Sequence, residues 1–353
     1  MIIKEKDLKV KYDNIDNFNK KLICGDTVSI LKRIPSESVD LIITSPSYFL
    51  GKDYEEDGTF EDYLELHKEI LNECKRVLKE HGAIFWNVAQ TLLDKDKKEV
   101  TPLGAIFYNL FKDLDFYLKN WIIWKFEGGE TPSSRLFGRY ENILWFVKDK
   151  YNFTFNLDSV RVPSKWIKDK RCNENGKNPE DYWEFDFRTN KEKLQSIEGK
   201  LSKIIKKLSK IELDQSGQLF LNDIIRDAEY EINTLFNAEE DYIQNNLSNN
   251  IWYIPRVTNN NRREKIKHPD LNCTHPCPFP EEMVRRIIKM ASNKNDFILD
   301  IFMGSGTTCK VAKELNRKWT GIEKEMTYCE IAELRINPLL EAKNSKTGSM
   351  KIK

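Results

Sequence analysis

Two short stretches of this 353-residue chain carry residue types that could do chemistry. Toward the C-terminal end, Phe297 to Ile301 (FILDI) reads as a strand. It runs through Phe302-Met303-Gly304-Ser305-Gly306-Thr307-Thr308 into a helical pattern, Cys309 to Leu315. In a strand–turn–helix setting the glycines let the backbone pass close to a ligand, and the helix N-terminus offers N–H groups that the helix itself leaves unpaired. A further strand, Trp319 to Ile322, ends at Glu323, whose offset from Asp300 is near the roughly 20 residues at which an acid grips ribose hydroxyls in dinucleotide folds. Gly-Ser-Gly alone is an ordinary tight turn about as often as a ligand loop. Strand, turn, helix, strand and acid together predict a nucleoside cofactor, of a kind that physics alone does not name. Toward the N-terminal end, Val39 to Thr44 (VDLIIT) meets Ser45-Pro46-Ser47-Tyr48, which in isolation is a proline-containing loop after a strand.

The elements around these stretches alternate strand and helix, the mark of an α/β sheet with helices on its faces. Leu22 to Cys24 predicts a strand, Thr27 to Ile34 a helix stopped by Pro35, and Thr59 to Lys79 a long amphipathic helix ended by His81-Gly82. Ala83 to Val88, Trp121 to Phe126 and Ile143 to Val147 predict strands of a parallel-type sheet, with a helix over Thr101 to Leu114. A helix over Glu281 to Ala291 precedes the FILDI strand. Between the two α/β stretches the chain turns polar and lysine-rich. There Leu194 to Ile211 and Leu221 to Phe236 carry apolar residues at spacings of three and four, which predicts a helical hairpin broken at Asp214 to Gly217.

At 40% hydrophobic residues the chain can bury a large core, and no apolar run approaches the roughly 20 residues of a membrane span. The first twenty residues lack a signal-peptide pattern, and seven scattered cysteines suit reduced thiols, so a cytoplasmic protein is expected. A net charge of +1 means that a polyanion would have to meet a local basic face. Arg256, Arg262, Arg263, Lys265 and Lys267 make the irregular stretch from Ile251 to Cys277 one such basic candidate. His268, Cys273, His275 and Cys277 could suggest zinc, but only two cysteines lie close together, and no metal is expected.

Asp300-Ile-Phe-Met-Gly-Ser-Gly-Thr-Thr resembles the cofactor motif DPF-x-GSGTT of the S-adenosylmethionine-dependent DNA amino-methyltransferases, and Thr44-Ser45-Pro46-Ser47-Tyr48 resembles their catalytic motif [DNS]-P-P-[YFW]. The catalytic motif precedes the cofactor motif, the permuted order of the family's β class. Gly25-Asp26, Gly138 to Asn142 running into Ile143 to Phe146, and Thr274 to Pro280 fit the same pattern. The resemblance spans about residues 21 to 163 and 251 to 336. It implies a Rossmann-like α/β sheet in circularly permuted motif order with an inserted, largely helical target-recognition region. The expected divisions are a catalytic half over residues 1–150, a recognition region over 151–250 and a cofactor-binding half over 251–353.

The resemblance also implies roles. An exocyclic amine is a poor nucleophile because its lone pair is delocalised into the ring, so acceptors must hold the NH2 while the nitrogen pyramidalises. In the family these are the side chain of the first motif residue and the carbonyl of the proline, here Ser45 and Pro46. Tyr48 would stack on a base flipped from the duplex. Asp300, Phe302, Gly304, Ser305, Gly306 and Thr307 are implied for the cofactor, with Glu323 on the ribose and Asp26, Thr44, His275 and Phe279 as further contacts. Arg262, Arg263, Lys265 and Lys267 are expected to meet DNA phosphates.

Two residues depart from the pattern. Ser47 replaces the second proline, which removes a stiffening ring and restores an N–H, and Ile301 replaces the proline after Asp300. A serine in the first motif position favours cytosine N4 over adenine N6. Double-stranded DNA is the implied partner, and a cognate restriction endonuclease and a homodimer come into consideration with it. The alternatives left open are adenine N6, an RNA or protein N-methyltransferase, and a silent DNA-binding relative.

Overall fold

The computed structural model of the chain describes residues 2–49, 58–91, 99–125, 136, 138, 140–161, 173, 175–183 and 278–337. Among them, nine strands share one sheet: β1 (Ile2–Lys4), β2 (Lys21–Cys24), β3 (Val39–Thr44), β4 (Leu78–Val88), β5 (Tyr117–Lys125), β6 (Tyr140–Val147), β7 (Tyr182–Trp183), β8 (Phe297–Asp300) and β9 (Lys318–Glu323). Their order across the sheet is β1-β2-β9-β8-β3-β4-β6-β5-β7. The helices are α1 (Thr27–Leu31), α2 (Phe60–Val77), α3 (Leu103–Asp113), α4 (Glu281–Ala291), α5 (Thr307–Glu314) and α6 (Met326–Ile336). By compactness the chain divides into one unit of Met1–Val160, Glu180–Phe185 and Tyr253–Lys353 and another of Arg161–Pro179 and Asp186–Trp252. The described part of the second is small, with Arg161 donating to the Gly176 carbonyl (3.1 Å). The predicted helical hairpin lies outside the described residues, as do His268, Cys273, His275, Cys277, Arg256, Arg262, Arg263, Lys265 and Lys267.

The sheet is parallel from β1 to β4, but β6 runs antiparallel to both β4 and β5. This corrects the expectation of a parallel-type sheet: an apolar run marks burial, not direction. β3 is buried along its whole length because its apolar residues fall on both faces. Its one carboxylate, Asp40, accepts from Lys79 Nζ (2.8 and 2.9 Å) and from the Phe297 N–H (2.8 Å), which pins the starts of β3 and β8 together.

Thr59 and Asp62 close a reciprocal cap at the start of α2, so this helix begins where the polar-to-apolar switch predicts. It ends at Val77, two residues before the expected Lys79, and β4 starts at once with Leu78 opposite Val39. The register then shifts, and Leu41 faces Ala83. α1 ends at Leu31, before the expected Ile34, in tightened turns whose Leu31 and Ile34 carbonyls accept from Arg76. One side of the sheet packs on an aromatic core in which Trp86, Phe107, Phe111 and Phe146 meet ring to ring.

Candidate active site

From β8 the chain crosses through α5 to β9 on one side, and from β3 through α2 to β4 on the other. The sheet order therefore reverses between β8 and β3, and the crevice beyond their carboxyl ends is where open α/β sheets bind ligands. The two motifs stand there together. Thr44 Oγ1, at the end of β3, donates to Asp300 Oδ1 at the end of β8 (2.9 Å) and accepts from the Phe302 N–H (3.2 Å). Residues 256 apart in the chain are thus joined by one hydrogen bond.

Two carboxylates line this end of the sheet. Asp300 is buried, and desolvation pushes its carboxyl up to about 6, with the hydroxyls of Thr308 and Thr44 pulling it back and the charge of Glu323 adding to the rise. Burial likewise raises Glu323, although it accepts from the N–H groups of Gly304 (2.8 Å) and Glu325 (2.9 Å). The glycine turn between them is left-handed at Gly304 (φ 51°) and Gly306 (φ 77°), and a Cβ on Gly306 would stand 2.7 Å from Ala332 Cβ. Only glycine allows α5 to start this close to α6.

The structure commits several expected contact side chains to the protein itself. Arg335, on α6, donates to the Ser305 carbonyl (2.6 Å), Ser305 Oγ (2.8 Å) and Thr307 Oγ1 (3.1 Å), and it also pairs with Glu281 (3.2 Å). Ser305 and Thr307 are buried, so these hydroxyls and Thr44 shape the loop, and the main chain is what the turn offers to a ligand. Asp26 caps α1, its Oδ1 accepting from the Ser29 N–H (2.7 Å). Thr27 beside it donates to the Ile301 carbonyl (3.1 Å), which ties α1 to the end of β8. The Phe302 ring packs near His67 (5.9 Å) and Trp86 (6.2 Å), and Phe279 is half-buried just before α4. A ligand bearing a cation and paired hydroxyls suits two desolvated carboxylates of this kind, and S-adenosylmethionine carries both.

The catalytic-motif loop leaves β3 into a polar cluster. Ser45 Oγ lies 2.8 Å from the Tyr48 hydroxyl and 3.1 Å from the Asn87 carbonyl, and the Tyr48 hydroxyl donates to Glu141 Oε2 (2.9 Å). Asn87 Nδ2 donates to both the Tyr48 hydroxyl and Glu141 Oε2, each at 2.7 Å. The Ser47 carbonyl accepts from the Tyr63 hydroxyl of α2 (2.7 Å), which ties this loop to that helix. Sequence reasoning missed Asn87, Tyr63 and Arg335, which sit in ordinary strand or helix patterns. Glu141 was visible within the Gly138 to Asn142 run, though without a role.

Residues 39–334 match the N6_N4_Mtase family model, described as DNA methylase. The chain is 30% identical over 322 residues to the type II methyltransferase M.BglII of Bacillus subtilis, covering 88% of this chain and 67% of that protein. It is 27% identical over 348 residues to the DNA adenine methyltransferase YhdJ of Escherichia coli, covering 95% and 91%. The solved structure of the cytosine-N4-specific PvuII DNA methyltransferase superposes with a TM-score of 0.57 at 16% identity, covering 93% of this chain and 90% of that one. That likeness establishes the Rossmann-like methyltransferase fold. With both motifs at one switch point and the family match spanning both, the chain belongs to the N6_N4_Mtase family of DNA methylases and is an S-adenosylmethionine-dependent DNA methyltransferase.

Proposed function

We propose that the protein methylates the N4 amine of cytosine in a specific sequence of duplex DNA, and that Ser45, the Pro46 carbonyl and Tyr48 handle the flipped base. The observation that carries this reading is the Thr44–Asp300 bond, which sets the Ser45–Tyr48 loop beside the glycine turn at one switch point. Bound S-adenosylmethionine supplies an electrophilic sulfonium methyl group. Ser45 and Pro46 accept from the target NH2 so that its nitrogen turns a lone pair outward, and Tyr48 offers a ring face to the base. Rate then comes from holding the nitrogen in line, with no strong base required. Asp300, Glu323, Phe302 and the main chain from Gly304 to Thr307 hold the cofactor, with Asp26, Phe279 and His275 at its margins.

Serine as the first motif residue supports cytosine; the 27% identity to a protein named a DNA adenine methyltransferase favours the second reading, adenine N6. Arg262, Arg263, Lys265 and Lys267 meet phosphates, and the polar region over 151–250 reads sequence, flanked by the catalytic half over 1–150 and the cofactor half over 251–353. The type II relatives support a cognate endonuclease as a functional partner. Self-association as a homodimer, the further expectation from the β-class resemblance, is tested by sedimentation at enzyme concentration. No helix among the described residues is long and apolar enough to cross a membrane. A DNA substrate agrees with the expected cytoplasmic placement. The test is methylome sequencing of DNA from cells expressing the protein: N4-methylcytosine in one sequence context is expected, and N6-methyladenine alone would replace the base assignment.

A further inference from the structure

The cluster behind Ser45 contains more contacts than a set of neutral hydroxyls would define. Glu141 (6% exposed, on β6) and Asn87 (2% exposed, on β4) are both buried beneath the Ser45–Tyr48 loop. A carboxylate only accepts, whereas the hydroxyls of serine and tyrosine each carry one hydrogen and can take either direction. The Tyr48 hydroxyl lies 2.9 Å from Glu141 Oε2, so its hydrogen is drawn to the carboxylate. Asn87 must turn its NH2 toward Glu141 and the Tyr48 oxygen, because the opposite amide orientation would place an oxygen against the carboxylate. That orientation leaves Asn87 Oδ1 buried and without a partner among the described residues, an unsatisfied acceptor tolerated for the sake of the two N–H bonds. With the Tyr48 hydrogen committed to Glu141, the Ser45 hydrogen can go, among the described residues, to the Tyr48 oxygen (2.8 Å) or the Asn87 carbonyl (3.1 Å). In both cases the lone pairs of Ser45 Oγ remain available.

We infer that Glu141, through Tyr48 and with Asn87, is a positioning residue that fixes the direction of this hydrogen-bond chain so that Ser45 meets the target amine as an acceptor. The inference rests on the reading of Ser45 as an acceptor for the exocyclic NH2. Without Glu141 the Tyr48 hydrogen loses that carboxylate, and Ser45 Oγ, 2.8 Å away, is an acceptor within its reach. One of the two Ser45 lone pairs is then taken by the tyrosine, and the amine meets an oxygen that already accepts a hydrogen. Removing the Tyr48 hydroxyl as well takes that misdirected hydrogen away and leaves Ser45 to donate to the Asn87 carbonyl.

The experiment measures single-turnover methyl transfer from radiolabelled S-adenosylmethionine to unmethylated phage DNA, alongside calorimetric S-adenosylmethionine affinity and thermal melts. Glu141→Met, of similar size and without an acceptor, should slow transfer about tenfold or more while cofactor affinity stays within about twofold. Glu141→Gln keeps a carbonyl acceptor and should retain most of the rate. The double variant Glu141→Met with Tyr48→Phe should be faster than Glu141→Met alone, a recovery that a merely structural role does not produce. Glu141→Met at the parental rate, or a double variant no faster than it, overturns the inference. If Glu141→Met does not fold, Glu141→Ala takes its place, and failure of both to fold makes Glu141 a structural group and likewise overturns it. Parental enzyme that labels no base amine would instead overturn the functional reading on which the inference stands.

Discussion

Asp300 is a buried carboxyl held up to about 6 by desolvation, and its state sets one of the two negative charges that Asp300 and Glu323 can present to the crevice. Its pKa is raised, so its contribution to the stability of the free protein is present below the ordinary 3.8 and is lost as pH rises through about 6. Cofactor binding should run the other way. A cation is gripped by the ionised form, with the raised Glu323 of β9 titrating beside it, so affinity should rise between about pH 5 and 7 and then level. Calorimetry across that range checks this. Asp300→Asn should flatten the rise near pH 6 and weaken binding roughly ten- to a hundredfold, the loss of one charge-assisted hydrogen bond of roughly 1.5 to 3 kcal/mol. Tyr63 makes a smaller claim. Tyr63→Phe removes the hydroxyl that holds the Ser47 carbonyl, which should cost about 1 kcal/mol in a melt and lower turnover more than cofactor affinity. Equal loss in both would place the effect on the whole fold and not on the loop.

At the scale of elements, the glycine turn works because α5 begins against α6. Gly306→Ala would force a side chain into a left-handed conformation 2.7 Å from Ala332, and a loss of about 1 to 3 kcal/mol in thermal unfolding is expected, with cofactor affinity falling along with it. A variant as stable as the parent would mean that the turn relaxes freely. β3 and α4 could be read from the sequence to the residue: one is an unbroken branched run and the other a clean helical period between Pro280 and Ser292. The first five residues of β4, Leu78-Lys-Glu-His-Gly, could not, because polar residues ending in glycine resemble a helix end, and of the five Leu78 alone is paired with β3, opposite Val39. β1 and α6 also went unread. β1 is three residues long, and the hydrophobic face of α6 is weakly patterned because it packs on several neighbours. At the site, both motifs and their meeting were legible, since short loops must carry ligand-facing residues whatever surrounds them. Asn87, Tyr63 and Arg335 were not, because a polar residue in a strand or helix shows its role only once the fold brings it a partner.

For the whole molecule, generic motifs leave sequence recognition to be supplied elsewhere. Neutralising Arg262, Arg263, Lys265 and Lys267 together should weaken binding to all DNA sequences and flatten the salt dependence by roughly 0.9 for each lost phosphate contact. Exchanging residues 151–250 for those of a type II relative should change which sequence is methylated, and a chimera that keeps the parental specificity would move recognition to the loops beside Tyr48. The central claim is that the crevice between β3 and β8 delivers a methyl group to an exocyclic base amine. It is tested most directly by incubating the purified protein with duplex DNA and methyl-labelled S-adenosylmethionine, digesting the product to nucleosides and finding the label. The account predicts label in N4-methylcytosine, abolished by Ser45→Ala; label in N6-methyladenine would keep the amine chemistry and change the base. Label in 5-methylcytosine, or in no nucleoside at all, would contradict it.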